Sequence, residues 1–201
     1  MGPGFTSQGG KVPPAAPDLP EDSRAFADHY RGLSGDGATV VLESFFDAPP
    51  FDLMPRVVIA DIHDAESFTV RYFGTDVAKL VGKDHTGITA RETRGAGLDA
   101  RYAALSWHAV NHPCGYLSRR LVFRASGPDT VGTAYDLLSL ALPARRSNGA
   151  LCLIQYHSSP HLAADQLRMP RDSVRIKVVP THWYDTGAGI PDVPIERAGA
   201  R

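Results

Sequence analysis

The chain has 201 residues, 43% of them apolar, which is enough for one well-packed core with extensions and too few for two full domains. Its formal net charge is −1, so it lacks the basic excess that marks a nucleic-acid-binding surface. Two cysteines, Cys114 and Cys152, are too few for a disulfide framework, and no apolar run reaches the length of a membrane span.

Residues 1–19 carry Gly2, Pro3, Gly4, Gly9, Gly10, Pro13, Pro14 and Pro17, and this composition predicts a disordered segment with little to bury. It has no apolar stretch of the kind a secretory signal needs, so the expectation is a cytoplasmic protein. A helix is predicted to start after Pro20, where Glu21 and Asp22 suit the positive end of the helix dipole. Phe26, His29, Tyr30 and Leu33 share one side of it, and Gly32, Gly35 and Gly37 stop it. With the turn Phe51-Asp52-Leu53-Met54-Pro55, residues 20–55 form an N-terminal helical cap.

The core is expected over residues 56–158. Val57 to Ile62 is an almost continuous apolar run, and the polar turn His63-Asp64-Ala65-Glu66 joins it to a second strand. There Phe68, Val70 and Tyr72 alternate with Thr69 and Arg71, the period of a strand with one buried face, so the pair predicts a hairpin. Asp61, at an acidic strand end, is expected to be solvated. Gly74-Thr75 breaks the second strand, with Thr75 as the cap of a short helix from Val77 to Val81. A longer helix, 98–110, places Leu98, Tyr102, Leu105 and Ala109 on one face, with His108 at its edge. Three strands follow at about 116–125, 133–142 and 150–157, separated by Gly127-Pro128-Asp129 and by Arg146-Ser147-Asn148-Gly149, the latter a strong hairpin signal. Residues 159–201 form an extension without an assigned role. It holds one further possible strand at Val174 to Val179 and a Gly/Pro-rich, mobile end from Thr186.

This order predicts an α+β fold: a five-stranded antiparallel sheet with helices packed on one face. It resembles the PAS fold, and the motifs are similar to those of the stand-alone bacterial PAS proteins. The matching residues are Phe51-Asp52-Leu53-Met54-Pro55, Val57-Val58-Ile59-Ala60-Asp61, Arg71-Tyr72-x-Gly74-Thr75, Gly82-x-Asp84-x-Thr86-Gly87 and the late strand Tyr135 to Pro143. They span roughly residues 20–158. The resemblance implies a non-catalytic sensory or protein-interaction module of a bacterial signalling pathway, which acts through a signalling partner because no effector domain is present.

A curved sheet covered by one helix leaves its cavity beneath that helix, and such pockets are mostly apolar. The expected walls are Ile59, Tyr102, Leu105, Leu121 and Phe123, with His108 at the rim. The alternative to a pure interaction module is a sensor for haem or a small metabolite. The resemblance implies that haem iron would be ligated by a histidine on the long helix, and His108 is the residue in that place. His108-x-x-x-His112 followed by Cys114 has metal-like spacing, but Pro113 ends the helix and no third ligand is supplied, so no metal is expected. A small lyase or isomerase is the third reading, with Asp61 and Tyr135 as candidate acid–base groups and no Ser-His-Asp arrangement to support it. Trp107 lies opposite Leu105, and Phe26 and Tyr30 of the cap could cover it from the same chain or from a second copy. The second arrangement makes these three residues the interface of a homodimer.

Overall fold

Val57–Ile62 is buried at all six positions, so both faces of this strand are covered, and the rest of the architecture follows from that. The computed structural model describes residues 18–35, 39–95, 101–124, 131–162, 167–168 and 174–198. In chain order the elements are α1 (Glu21–Ser34), β1 (Val40–Val41), α2 (Leu42–Asp47), a 3-10 turn (Met54–Arg56), β2 (Val57–Ile62), β3 (Phe68–Phe73), α3 (Thr75–Val81), α4 (Ala90–Gly95), α5 (Arg101–Asn111), β4 (Gly115–Arg124), β5 (Val131–Arg145), β6 (Leu151–His157), β7 (His161–Leu162), β8 (Leu167–Arg168), β9 (Val174–Tyr184) and α6 (Ile195–Ala198).

The fold is α+β. Six strands lie side by side in the order β3-β2-β6-β5-β4-β9, all antiparallel to their neighbours, and the short β1, β7 and β8 each pair with β5. The five predicted strands are all present, but the sheet is larger than the expected five-stranded one. Residues 174–184, beyond the expected core, run along the whole of β4, from Gly115 opposite Tyr184 to Arg124 opposite Val174. Without them β4 would present an unpaired row of backbone groups at the sheet edge. Thr186 to Ala198 is likewise not a loose end, because Ile195 and Ala198 of α6 are buried in the core beside α5.

The expectation of helices on one face is also corrected. One apolar cluster joins Phe68, Val70, Val77, Tyr102, Leu105, Ala109, Tyr116, Val122 and Ile176, and so lies between the sheet and α3, α4, α5 and α6. A second joins Phe26, Tyr30, Leu42 and Phe45 to Ile59, Leu140, Leu142, Ile154 and Tyr156, with the cap helices α1 and α2 on the other face. Leu19 belongs to that second cluster, whereas residues 1–17 of the predicted disordered segment lie outside the described residues, as does Leu98 of the predicted long helix. Helix α1 stops at Ser34, with Gly35 at positive φ (56°) in its C-cap position.

Two local expectations change at β3. The pairing register shifts between Ile59 and Ala60, which face Tyr72 and Val70, so Arg71 is the extra residue of a bulge. Phe68 and Val70 therefore point to the α5 side while Tyr72 packs on the cap side, and the simple alternation ends there. Gly74, not Thr75, is the N-cap of α3, and no side chain caps that helix. A Cβ at Gly74 would clash with the Pro55 carbonyl, so glycine is required for this close approach.

Candidate ligand site

The centre of the sheet face beneath α5 is polar, although its surroundings are apolar. Directly opposed residues of antiparallel strands share a face, so the register places the polar side chains together. Ser118 of β4 faces Ser139 of β5, which faces His157 of β6. One row further, Arg120 faces Leu137 on one side and Val178 on the other. In the opposite direction Tyr116 faces Ala141, which faces Gln155. Helix α5 closes the group from above. The Tyr102 hydroxyl donates to Gln155 Oε1 at 3.4 Å, and Ser106 Oγ lies 3.2 Å from the Tyr116 hydroxyl.

All of these side chains are removed from solvent: Arg120 is 7% exposed, His157 3%, Gln155 1%, and Ser106, Ser118 and Ser139 are fully buried. Buried polar atoms in folded proteins are almost always paired. Here Ser118 Oγ, Arg120 Nε and Nη2, Ser139 Oγ, Gln155 Nε2 and both ring nitrogens of His157 have no hydrogen-bond partner. The Arg120 guanidinium lies over the Tyr102 ring, 5.4 Å from its centroid, a cation–π contact that offsets part of its desolvation. Among the described residues no carboxylate forms an ion pair with it. Burial raises the pKa values of Tyr102 and Tyr116, so both phenols stay neutral at physiological pH and neither is a counter-charge. Burial, aided by the Arg120 charge, holds His157 well below the usual imidazole range, so its ring is neutral.

A way in exists. A cleft of about 570 Å³ is lined by Val77, Leu80, Arg124, Leu137, His157 and Ser159 among others. Leu137 and His157 are the cross-strand neighbours of Arg120 and Ser139, so the cleft borders the polar group at its His157 edge. Its rim is tied to the cap: Ser159 N–H donates to Asp22 Oδ2 at 3.2 Å, and Arg56 Nη1 donates to the same carboxylate at 2.6 Å and to Ser159 Oγ at 2.7 Å.

The sequence-predicted walls divide. Tyr102 and Leu105 face the sheet from α5 as expected. Ile59 faces the cap on the opposite side, in the cluster with Phe26 and Tyr156. Leu121 and Phe123 also alternate away from α5, because the inward positions of β4 are Tyr116, Ser118, Arg120 and Val122. In each case the assignment was one residue out of phase, which turns a strand side chain to the other face. His108 is exposed on α5, whereas Tyr102 and Leu105 of the same helix are buried toward the sheet. His112 is exposed too, while Cys114 is buried with its thiol pKa pushed up to about 12 by burial. Among the described residues no three metal-ligating side chains cluster.

The proposed interface does not form one surface. Phe26 stacks on Tyr156 with centroids 4.9 Å apart, and the buried Tyr30 hydroxyl donates to the Pro143 carbonyl, so both are committed within the chain. Trp107 is half-buried against the α5-side cluster, with the sheet between it and α1. Asp61 is not solvated: it is 7% exposed and accepts from Arg71 Nε at 2.6 Å, from Arg146 Nη2 at 3.0 Å and from Cys152 Sγ at 3.3 Å. Desolvation would raise its pKa, but the two arginines outweigh it and hold the carboxyl below its usual value, so it is a structural anion and not a poised acid. Sequence reasoning missed Arg120, Ser118, Ser139, Gln155 and His157. Their signal was available as two even-numbered polar positions on β4, one odd-numbered position on β5 and two odd-numbered positions on β6, each within a largely apolar strand.

Compared with known proteins, the chain matches no family model, no curated protein and no solved structure. Among the described residues no helix is long and apolar enough to cross a membrane.

Proposed function

We propose that the chain is a non-catalytic sensory module of the PAS type, which holds a small molecule between α5 and the centre of the sheet and passes its state to a partner protein. The observation that carries this reading is the group of buried, unpartnered polar atoms on Ser118, Arg120, Ser139, Gln155 and His157. A protein core gains nothing from such atoms unless something else completes their hydrogen bonds. The order of elements, a hairpin followed by helices and then three antiparallel strands, is what the resemblance to PAS proteins requires. Output through the cap is supported by the Ser159–Asp22–Arg56 contacts, which join the residues just after His157 to the start of α1.

Catalysis is the weaker reading. Ser139 and His157 are cross-strand neighbours, but neither hydrogen-bonds the other, and among the described residues no carboxylate orients the imidazole. Native mass spectrometry of the freshly purified protein tests the sensory proposal. A small molecule retained under native conditions and released on denaturation is the expected result. A bare native mass, together with no thermal stabilisation by any member of a broad metabolite library, would count against it.

A further inference from the structure

We propose that the ligand is a short monocarboxylate carrying a hydroxyl or keto group, with its carboxylate held side-on by Arg120. The proposal rests on the sensory reading of the same site and adds the charge and shape of what fills it. The unpartnered atoms of Arg120 are Nε and Nη2. These two N–H groups point the same way along one edge of the guanidinium and match the two oxygens of a carboxylate. Ordered water can complete hydrogen bonds in a polar cavity, but it brings no charge, and Arg120 is a cation without a carboxylate partner among the described residues.

The rest of the group limits the ligand further. Among the described residues Arg120 is the one cation in the buried cluster, since His157 is neutral, so a single negative charge balances the site. A dicarboxylate or a doubly charged phosphate would leave an anion uncompensated. Ser118 Oγ, Ser139 Oγ and the His157 ring, one residue row from Arg120, and Gln155 Nε2, one row beyond them, supply donors and acceptors that suit a hydroxyl or carbonyl beside the carboxylate. Tyr102, Leu105 and Val122 surround them with apolar surface, which suits a short carbon chain.

The test uses the full chain and calorimetric titration with lactate, pyruvate and 2-oxoisovalerate, each beside an uncharged counterpart such as lactamide or propane-1,2-diol. Inorganic phosphate and succinate are the anion controls. The expected result is binding of at least one monocarboxylate, weaker or no binding of its uncharged counterpart, and no binding of phosphate or succinate. Arg120→Met should weaken the monocarboxylate about ten- to a hundredfold, the usual worth of a hydrogen bond to a charged group, and Ser139→Ala should weaken it less. Circular dichroism shows whether each variant is folded, and Arg120→Gln replaces Arg120→Met if that variant is not. Equal binding of acid and amide overturns the carboxylate assignment and leaves the sensory pocket standing. Silence from acids and neutral compounds alike overturns both. Tighter binding of phosphate or succinate overturns the single-charge argument, and a crystal structure holding only water against Arg120 overturns the proposal as a whole.

Discussion

Replacing His157 by Gln should remove most of the protein's loss of stability in mild acid. The folded imidazole is buried on all sides, has no partner for either nitrogen and lies near the Arg120 charge, so its pKa is depressed well below 6.5. In the unfolded chain the same ring titrates near 6.5. Above that pH both states are neutral and the native state keeps its full stability. As pH falls below about 6.5 the unfolded state takes up a proton that the native state refuses, so stability drops by about 1.4 kcal/mol per pH unit until the folded pKa is reached. The loss is about 1.4 kcal/mol at about pH 5.5, one pH unit below the unfolded value. Arg120 from β4 is the charge that opposes protonation, while Arg56, Lys79, Arg124, Asp52 and Asp76 line the cleft outside. Asp22 and Asp61 have lowered pKa values and contribute only below about pH 4. The pKa of His85 is also depressed by burial, and its contribution cancels when variant and parent are compared. Urea melts from about pH 7.5 to 4.5 should therefore show a steep decline for the parent and a shallower one for His157→Gln. Parallel curves, or an imidazole pKa near 6.5 by NMR, would refute the burial and charge argument.

Three further outcomes follow from the packing. Arg120→Met should stabilise the ligand-free protein by about 1–4 kcal/mol in a denaturant melt, because a buried charge without a counter-charge is replaced by an apolar chain of similar length. Phe26→Ala should cost about 3–5 kcal/mol while the mass by light scattering stays unchanged, because Phe26 is fully buried against Tyr156 and Phe45 within one chain. Gly74→Ala should cost about 3 kcal/mol or more, because its methyl group would meet backbone atoms of Pro55 and Met54 that no side-chain rotation can move. A melt of that variant within 1 kcal/mol of the parent would show that the 3-10 turn yields more easily than its contacts imply.

The sequence by itself determined the elements and their order. Period-2 alternation, glycine and proline breaks and the Asn148-Gly149 turn are local properties, so β2 to β6 and α5 were legible within a few residues. The almost continuous apolar run Val57 to Ile62 was a signal that both faces of the sheet are covered, which the expectation of helices on one face left unused. Only the tertiary structure decided which parity of each strand faces α5. A shift of one residue moves a whole set of side chains across the sheet, and the bulge at Arg71 changes the phase within a single strand. That is why Ile59, Leu121 and Phe123 fell on the wrong face while Tyr102 and Leu105, fixed by helical period, fell on the right one. The site itself is non-local: Arg120, Ser139 and His157 come from three strands and meet only through register. The same holds for residues 174–198, which have weak local signals and become an edge strand and a core helix because β4 and α5 offer surfaces to pair with and to pack against.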